Sequence, residues 1–107
     1  MRDEELSIKK LLWLENRRKD LIKLPVDKLS TLAKLVGSKQ DLYDLTMIRM
    51  WKIIELAFLK PKLDVEIIYR LTKEERVLYR VLCYIFSDYL DLVGKIIEQS
   101  RASTPKS

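Results

Sequence analysis

One segment of the chain, residues 42–60, limits most strongly what this protein can fold into. It reads LYDLTMIRMWKIIELAFLK and is apolar on nearly every side of a helix. After the first turn its polar side chains recur every third residue and form one narrow stripe, at Thr46, Arg49, Lys52 and Glu55. A helix that is apolar almost all round is normally buried on several sides, and a chain of 107 residues offers little protein to surround it. We therefore expect other chains to complete the burial, which indicates a subunit of an assembly.

The composition favours one folded, helical domain. Hydrophobic residues make up 48% and charged residues 35% of the chain, which argues against disorder. Two glycines and three prolines provide few turn signals. We therefore predict an all-α fold, a helical bundle of about four to five helices over residues 1–100. Residues 101–107 read RASTPKS and are expected to form a disordered tail or a linker.

Breaker residues set the expected bounds of the first two helices. The first is predicted from Asp3 to Lys23, with early acids that favour the positive end of the helix dipole. Pro25 ends it, because the residue before proline is pushed out of the helical region. A short second helix is predicted over residues 26–36, with Gly37 as its C-terminal cap.

The second half of the chain carries two capping signals. Ser38 is the predicted N-cap of a third helix over residues 39–60. Residues 63–71 are ambiguous between helical turns and a short extended segment. The residues Thr72-Lys73-Glu74-Glu75 form a capping box that opens a last helix ending near Gln99. This helix carries a seam with alternating spacings of four and three, at Leu78, Leu82, Ile85, Tyr89, Leu92 and Ile96. Within it, Gly94 predicts either close approach of a neighbouring backbone or an early fraying end.

Few residues are suited to catalysis. The chain has no histidine, the usual acid–base group near neutral pH. Its one cysteine, Cys83, is expected to be a small buried apolar residue of the last helix. No glycine-rich phosphate loop exists, and a metal site would need carboxylates alone. We therefore predict no enzyme activity, no catalytic residue, no cofactor and no metal site.

The charge pattern gives little support to nucleic acid or a membrane as a direct partner. The net charge of +5 could suggest nucleic acid, but the densest basic run, residues 17–19, is flanked by Glu15 and Asp20 and fits a solvated helix face. The apolar segment is too charged to span a membrane, and the N-terminal residues do not form a signal peptide. A single cysteine excludes a disulfide within the chain, which favours a reducing, cytoplasmic location.

The aromatic and apolar residues of the third and last helices predict a subunit interface. Aromatic side chains among Leu and Ile favour packing over base stacking, and Trp51 and Tyr84 are the expected anchors. Two interpretations of Arg49 and Lys52 stay open: a local ion pair of Lys52 with Glu55 or with a partner's carboxylate, or charges that orient the interface. The predicted interface consists of Met47, Arg49, Met50, Trp51, Lys52, Ile54, Phe58, Val81, Tyr84, Ile85 and Tyr89.

Three motifs in order resemble the α-helical domain of the GINS replication complex. They are IKLPVDKLSTLAKLV, the Arg-x-x-Lys-Ile run from Ile48 to Ala57, and LTKEERVLYRVL at the start of the last helix. The resemblance covers about residues 23–93. It is strongest to the archaeal subunit type that carries its helical domain first. Members of this type usually add a small β-domain through a flexible linker, and RASTPKS fits a linker stub, so the chain is either a fragment or a short subunit.

The resemblance implies a scaffold, not an enzyme. It implies a heterotetramer with paralogous GINS subunits, and contacts with the MCM helicase, a Cdc45/RecJ-like protein and primase near the archaeal nucleoid. Two rival interpretations stay open beside it. One is a small basic helical nucleic-acid-binding protein, and the other is a self-associating helical adaptor.

Overall fold

The structure, a computed structural model, describes residues 7–103. Its described part confirms the predicted all-α fold, with one isolated β-bridge between Ser7 and Val36. The helices are α1 (Ile8–Arg17), α2 (Leu29–Leu32), α3 (Lys39–Leu59), α4 (Val65–Arg70) and α5 (Lys73–Ser103).

Helix α3 is the centre of the fold and packs against both α1 and α5. Two small apolar cores lie along it. The first joins α3 to α1, α2 and the connection between them, through Ile8, Leu11, Ile22, Leu24, Leu32 and Leu45. The second joins α3 to α5, through Leu21, Ile53, Ala57, Leu71, Tyr79 and Cys83. The molecule is elongated, 78 × 22 × 21 Å, and the 31 residues of α5 alone extend for roughly 45 Å.

Helix α1 ends at Arg17, and the predicted end at Lys23 is wrong. The backbone carbonyls that a longer helix would use are bound by two side chains of α3. Lys52 Nζ lies 2.8 Å from the Arg18 carbonyl oxygen, and Arg49 donates to the Ile22 carbonyl at 2.8 Å. The resulting extended segment lets neighbouring residues enter different cores. At the other end, Ser7 caps α1 by accepting a hydrogen bond from Lys10 N; the predicted start at Asp3 lies outside the described residues.

Helix α2 is a single turn, shorter than the predicted helix over residues 26–36. Its N-terminal amide, Leu29 N, donates to Glu74 Oε1 at 2.9 Å, so the start of α5 caps α2. Gly37 is not its C-terminal cap, since α2 ends five residues earlier. Gly37 has φ +154°, and a Cβ there would lie 2.6 Å from Ile8 Cβ. The close approach arises because the Val36 carbonyl accepts a hydrogen bond from Ile8 N.

Both predicted N-terminal caps are confirmed. Ser38 Oγ accepts from Asp41 N at 3.0 Å at the start of α3. In the capping box, Thr72 N donates to Glu75 Oε1 at 2.9 Å and Glu75 N donates to Thr72 Oγ1 at 3.3 Å. The ambiguous segment contains α4, whose N-cap is Asp64.

Helix α5 continues to Ser103, past its predicted end at Gln99. A fraying end at Gly94 is therefore wrong. A Cβ added at Gly94 would meet no atom within 4 Å, so the chain itself makes no close backbone contact there. The remainder of the expected tail, residues 104–107, lies outside the described part of the chain.

Candidate protein-interaction surface

Two residues of the polar stripe, Arg49 and Lys52, face the interior of the chain, whereas Glu55 and several large apolar side chains of α3 are exposed. The buried residues of α3 recur every four positions, at Leu45, Arg49, Ile53 and Ala57. Arg49 is 0% exposed, whereas Trp51 and Phe58 keep 62% and 63% of their surface exposed. A surface helix normally shows the opposite distribution.

Arg49 is held by a buried ion cluster, which comprises Arg49, Glu15, Glu75 and Lys52. The guanidinium donates to Glu75 Oε1 and Oε2 at 2.8 and 2.7 Å, and to Glu15 Oε1 at 2.7 Å. It also donates to the carbonyl oxygens of Ile22 and Arg70. Burial opposes the charge on the guanidinium, but the hydrogen bonds and charges of Glu75 and Glu15 outweigh it, so the pKa of Arg49 is raised above its ordinary value.

Lys52 completes the cluster from one helical turn further along α3. Its Nζ lies 2.7 Å from Glu15 Oε2 and 2.6 Å from the Glu15 carbonyl oxygen. The predicted local pair of Lys52 with Glu55 is therefore wrong, since the lysine pairs with a helix 37 residues away in sequence. Because Glu15 lies on α1 and Glu75 on α5, the cluster fixes both helices to α3.

The outward side of α3 carries an apolar row, which we define as Met47, Trp51, Ile54 and Phe58. The successive spacings are four, three and four residues, so the side chains lie along one line of the helix. Ile54 is half-buried, and the other three are exposed. An open groove of about 470 Å³ lies along this row and is lined by Ile48, Trp51, Lys52, Ile54, Glu55 and Phe58.

The surface of α3 meets α5 at two points. Phe58 packs edge-on against Phe86, with ring centroids 5.9 Å apart. Further towards the N-terminus of α3, Met47 and Met50 line an apolar groove of about 380 Å³ together with Leu78 of α5. The apolar side of α3 is therefore continuous with the first half of α5.

The structure brings together only part of the predicted interface. Trp51, Ile54 and Phe58 line one groove of α3, and Met47 and Met50 line another between α3 and α5. The predicted residues of α5 are all exposed, at Val81, Tyr84, Ile85 and Tyr89. Tyr84, which is 72% exposed, lines a different groove with Pro61 and Leu63.

Two predicted interface residues have another role in the structure. Arg49 cannot contact a partner, because it is fully enclosed by its own chain. The ammonium group of Lys52 is likewise bound within the chain, and its side chain is 14% exposed. No local pattern predicted their two acidic partners, since Glu75 is accounted for by the capping box and Glu15 by the charged end of α1. The sequence signal for Glu15 is its position, because it continues the three-and-four spacing of Ile8 and Leu11. The structure buries all three.

Most of the aromatic side chains lie outside the cores. Tyr79 is buried and Phe86 half-buried, while the others are exposed. The Tyr79 hydroxyl donates to the Lys62 carbonyl at 3.2 Å and accepts from Asp64 N at 3.1 Å. Burial raises the pKa of Tyr79 to about 12. Cys83 is buried, as predicted, and burial also raises the pKa of its thiol.

Residues 7–103 contain no cluster of three acidic, histidine or cysteine side chains placed to hold a metal ion. None of the helices in this described part has the length and apolar character needed to cross a membrane.

Comparisons with models of protein families, with curated proteins and with solved structures give no match to this chain.

Proposed function

We propose that this protein is a non-catalytic scaffold subunit of a GINS-like complex in the replicative helicase assembly. It acts through helix–helix contacts with a paralogous subunit. The observation that carries the proposal is the apolar row on the outward side of α3. The buried ion cluster, which holds this helix in place, supports it.

The apolar row has the character of half of a subunit interface. Three of its four side chains are exposed, including a tryptophan and a phenylalanine. Monomeric proteins rarely expose large contiguous apolar patches, and an obligate interface resembles a domain core cut in half. Trp51 and Phe58 lie one above the other with Ile54 between them, so a helix laid along the groove would cover all three.

The ion cluster supports this role by fixing the positions of the helices that carry the apolar row. Arg49 and Lys52 connect α3 to α1, to the segment after it and to α5. A surface held in place before binding loses little conformational entropy when a partner docks. The ion cluster holds the helices in place, while the apolar row supplies the contact area.

The identity of the partner rests on the resemblance of the three ordered motifs to the GINS helical domain. On that basis we propose a heterotetramer with a paralogous GINS subunit. The same resemblance supplies the further proposed partners, which are the MCM helicase, a Cdc45/RecJ-like protein and primase. In this proposal any contact with nucleic acid is indirect.

Co-expression with a candidate paralogous GINS subunit, followed by size-exclusion chromatography with light scattering, tests the proposal. We expect a discrete heterotetramer. Trp51→Ala should weaken this assembly at least tenfold, because it removes a central aromatic anchor. Tyr69→Ala is the matched control, since Tyr69 is an aromatic residue of α4 with a similar exposed fraction.

Circular dichroism should show that both variants remain folded. A chain that stays monomeric in the presence of the paralogue would refute the proposal. Equal losses of assembly for Trp51→Ala and Tyr69→Ala would show that the apolar row is not the interface.

Nucleic-acid binding has less support from the structure. Arg18 and Lys19 follow the end of α1 and do not form the helix face predicted for them. Arg18 pairs with Asp20, and Arg17 lies over the ring of Trp13 at 4.8 Å. Titration with single- and double-stranded DNA at two salt concentrations tests this rival, which requires binding that weakens steeply with salt.

A further inference from the structure

The seam of α5 divides into two halves with different surroundings. Leu78 and Leu82 pack against the core of their own chain. The continuation of the same seam is exposed and lies on the part of α5 that projects from the domain. This distal seam consists of Ile85, Tyr89, Leu92 and Ile96, each at least half exposed.

The spacing of the distal seam fits a two-helix coiled coil. Its residues follow one another at four, three and four positions, which is the a/d pattern of such a structure. If two copies of α5 run antiparallel with Tyr89 opposite Leu92 of the second copy, Ile85 faces Ile96 of the second copy. Because the dimer is symmetric, each of these two residue pairs occurs twice. All four seam residues on both helices are therefore paired.

The charges beside the seam fit this same arrangement. Asp88 and Lys95 each directly precede a seam residue and are exposed, and neither forms an ion pair within the described residues. In the antiparallel arrangement these flanking positions face each other, so Asp88 of one copy lies opposite Lys95 of the other, twice. A parallel pair would instead place Asp88 beside Val93. The charges therefore select both the partner and its direction.

We propose that the distal half of α5 binds the same segment of a second copy of this chain as an antiparallel coiled coil. This inference does not rest on the GINS assignment, because it uses only residues of α5. The partner is a second copy because the seam and its flanking charges complement themselves.

The centre of the pairing lies beyond the apolar core of each domain. The pairing is centred between residues 89 and 92, whereas the apolar core of each domain includes residues of α5 only up to Phe86. The groove that Pro61 and Leu63 form with α5 extends to Asp91. The two domains therefore lie at opposite ends of the paired helices. On the other side of the seam, Phe86 faces Val93 of the second copy, which extends the apolar contact.

The contact is small, so we expect a weak and concentration-dependent dimer. Four half-exposed side chains from each copy cover on the order of 1,000 Å² in total, near the lower limit of specific interfaces. Dissociation constants of roughly 1–100 µM are expected for an interface of this size. Ile85 and Tyr89 also belong to the predicted paralogue interface, whereas Trp51 belongs to that interface alone.

Sedimentation velocity of the full chain from about 1 to 500 µM tests the pairing. We expect a reversible monomer–dimer equilibrium. Asp88→Lys places like charges opposite each other twice and should weaken the dimer by about tenfold. The double exchange Asp88→Lys with Lys95→Asp should restore it to within about threefold. Glu98→Lys is the matched control on the outer side of α5, and Trp51→Ala should leave this dimer unchanged.

Disulfide trapping tests the direction of the helices independently. In a Cys83→Ala background, chains with Asp88→Cys are mixed with chains that carry Lys95→Cys. Antiparallel pairing predicts that the mixed disulfide forms faster than either self-disulfide. A folded chain that remains monomeric at 500 µM would overturn the proposal. Equal weakening by Asp88→Lys and Glu98→Lys without rescue, or trapping of self-disulfides alone, would do the same.

Discussion

Replacing Arg49 by methionine tests the buried ion cluster most directly. Methionine is unbranched and apolar, so Arg49→Met removes the charge and the donors while it retains much of the packing. The lost guanidinium donates five hydrogen bonds, to the side chains of Glu15 and Glu75 and to two backbone carbonyls.

The loss in free energy of unfolding depends on which other partners these acceptors retain. Glu15 is 0% exposed but keeps Lys52 at 2.7 Å, so its carboxylate is only partly uncompensated. Glu75 keeps the amide of Thr72 and has some access to solvent. A buried acceptor left without a donor costs about 1–3 kcal/mol, and breaking a buried ion pair from one side costs about 3–5 kcal/mol. We therefore expect Arg49→Met to lower the free energy of unfolding by about 3–5 kcal/mol.

That loss is large beside the total of about 5–15 kcal/mol that is typical of small domains. Urea unfolding followed by far-ultraviolet circular dichroism measures it. Arg80→Met is the matched control, because Arg80 is an exposed residue of α5 and forms none of the ion pairs of the described residues. The control should change the free energy of unfolding by less than about 0.5 kcal/mol.

A double-mutant cycle with Glu15→Gln separates pairing from packing. Because each substitution removes one side of the same ion pair, the double variant should lose less stability than the sum of the single variants. We expect a coupling free energy of about 2 kcal/mol. An Arg49→Met variant as stable as Arg80→Met, or strictly additive effects with Glu15→Gln, would refute the role assigned to the cluster.

Two further predictions concern the backbone and pH. Gly37→Ala should destabilise the chain by about 2 kcal/mol or more, measured by the same urea unfolding, because its Cβ would lie 2.6 Å from Ile8 Cβ at φ +154°. The folded chain holds the proton of Tyr79 up to a pKa of about 12, above its ordinary value of 10.0. The contribution of protonated Tyr79 to the free energy of unfolding is fully present below pH 10. It is lost as the pH rises towards 12, by at most about 2–3 kcal/mol. Tyr79→Phe should reduce this loss, as measured by urea unfolding at pH 9 and pH 11.5.

Each of these predictions has an internal control. Gly94→Ala adds a methyl group where nothing lies within 4 Å, so it should stabilise α5 by roughly 0.5–1 kcal/mol. Tyr43→Phe removes a hydroxyl from an exposed residue of α3 and should leave the pH dependence unchanged. If Gly37→Ala is as stable as Gly94→Ala, the inferred steric conflict between a Cβ at position 37 and Ile8 is wrong. A wild-type chain whose stability does not fall above pH 10 would contradict the role of Tyr79.

Local signals explain why much of the helical pattern could be predicted. The caps at Ser38 and Thr72 involve residues three positions apart, so their chemistry is contained in the sequence. The bounds of α1 and α2 depended on distant residues instead. Lys52 and Arg49 bind the carbonyls after α1, and Glu74 caps α2 from 45 residues away. No local pattern contains those contacts.

The sequence by itself determined that this chain is helical and that its apolar surface exceeds what one small domain can bury. It also located the stripe that contains Arg49 and Lys52. Only the tertiary structure decided that Arg49 and Lys52 face inward, while Glu55 of the same stripe stays exposed. Hydrophobic periodicity could not make that choice, because α3 is apolar on nearly every side. The choice depends on Glu15 and Glu75, which lie 34 and 26 residues from Arg49 and compensate its burial. With the charges paired inside, the apolar row faces outward, where a partner can cover it.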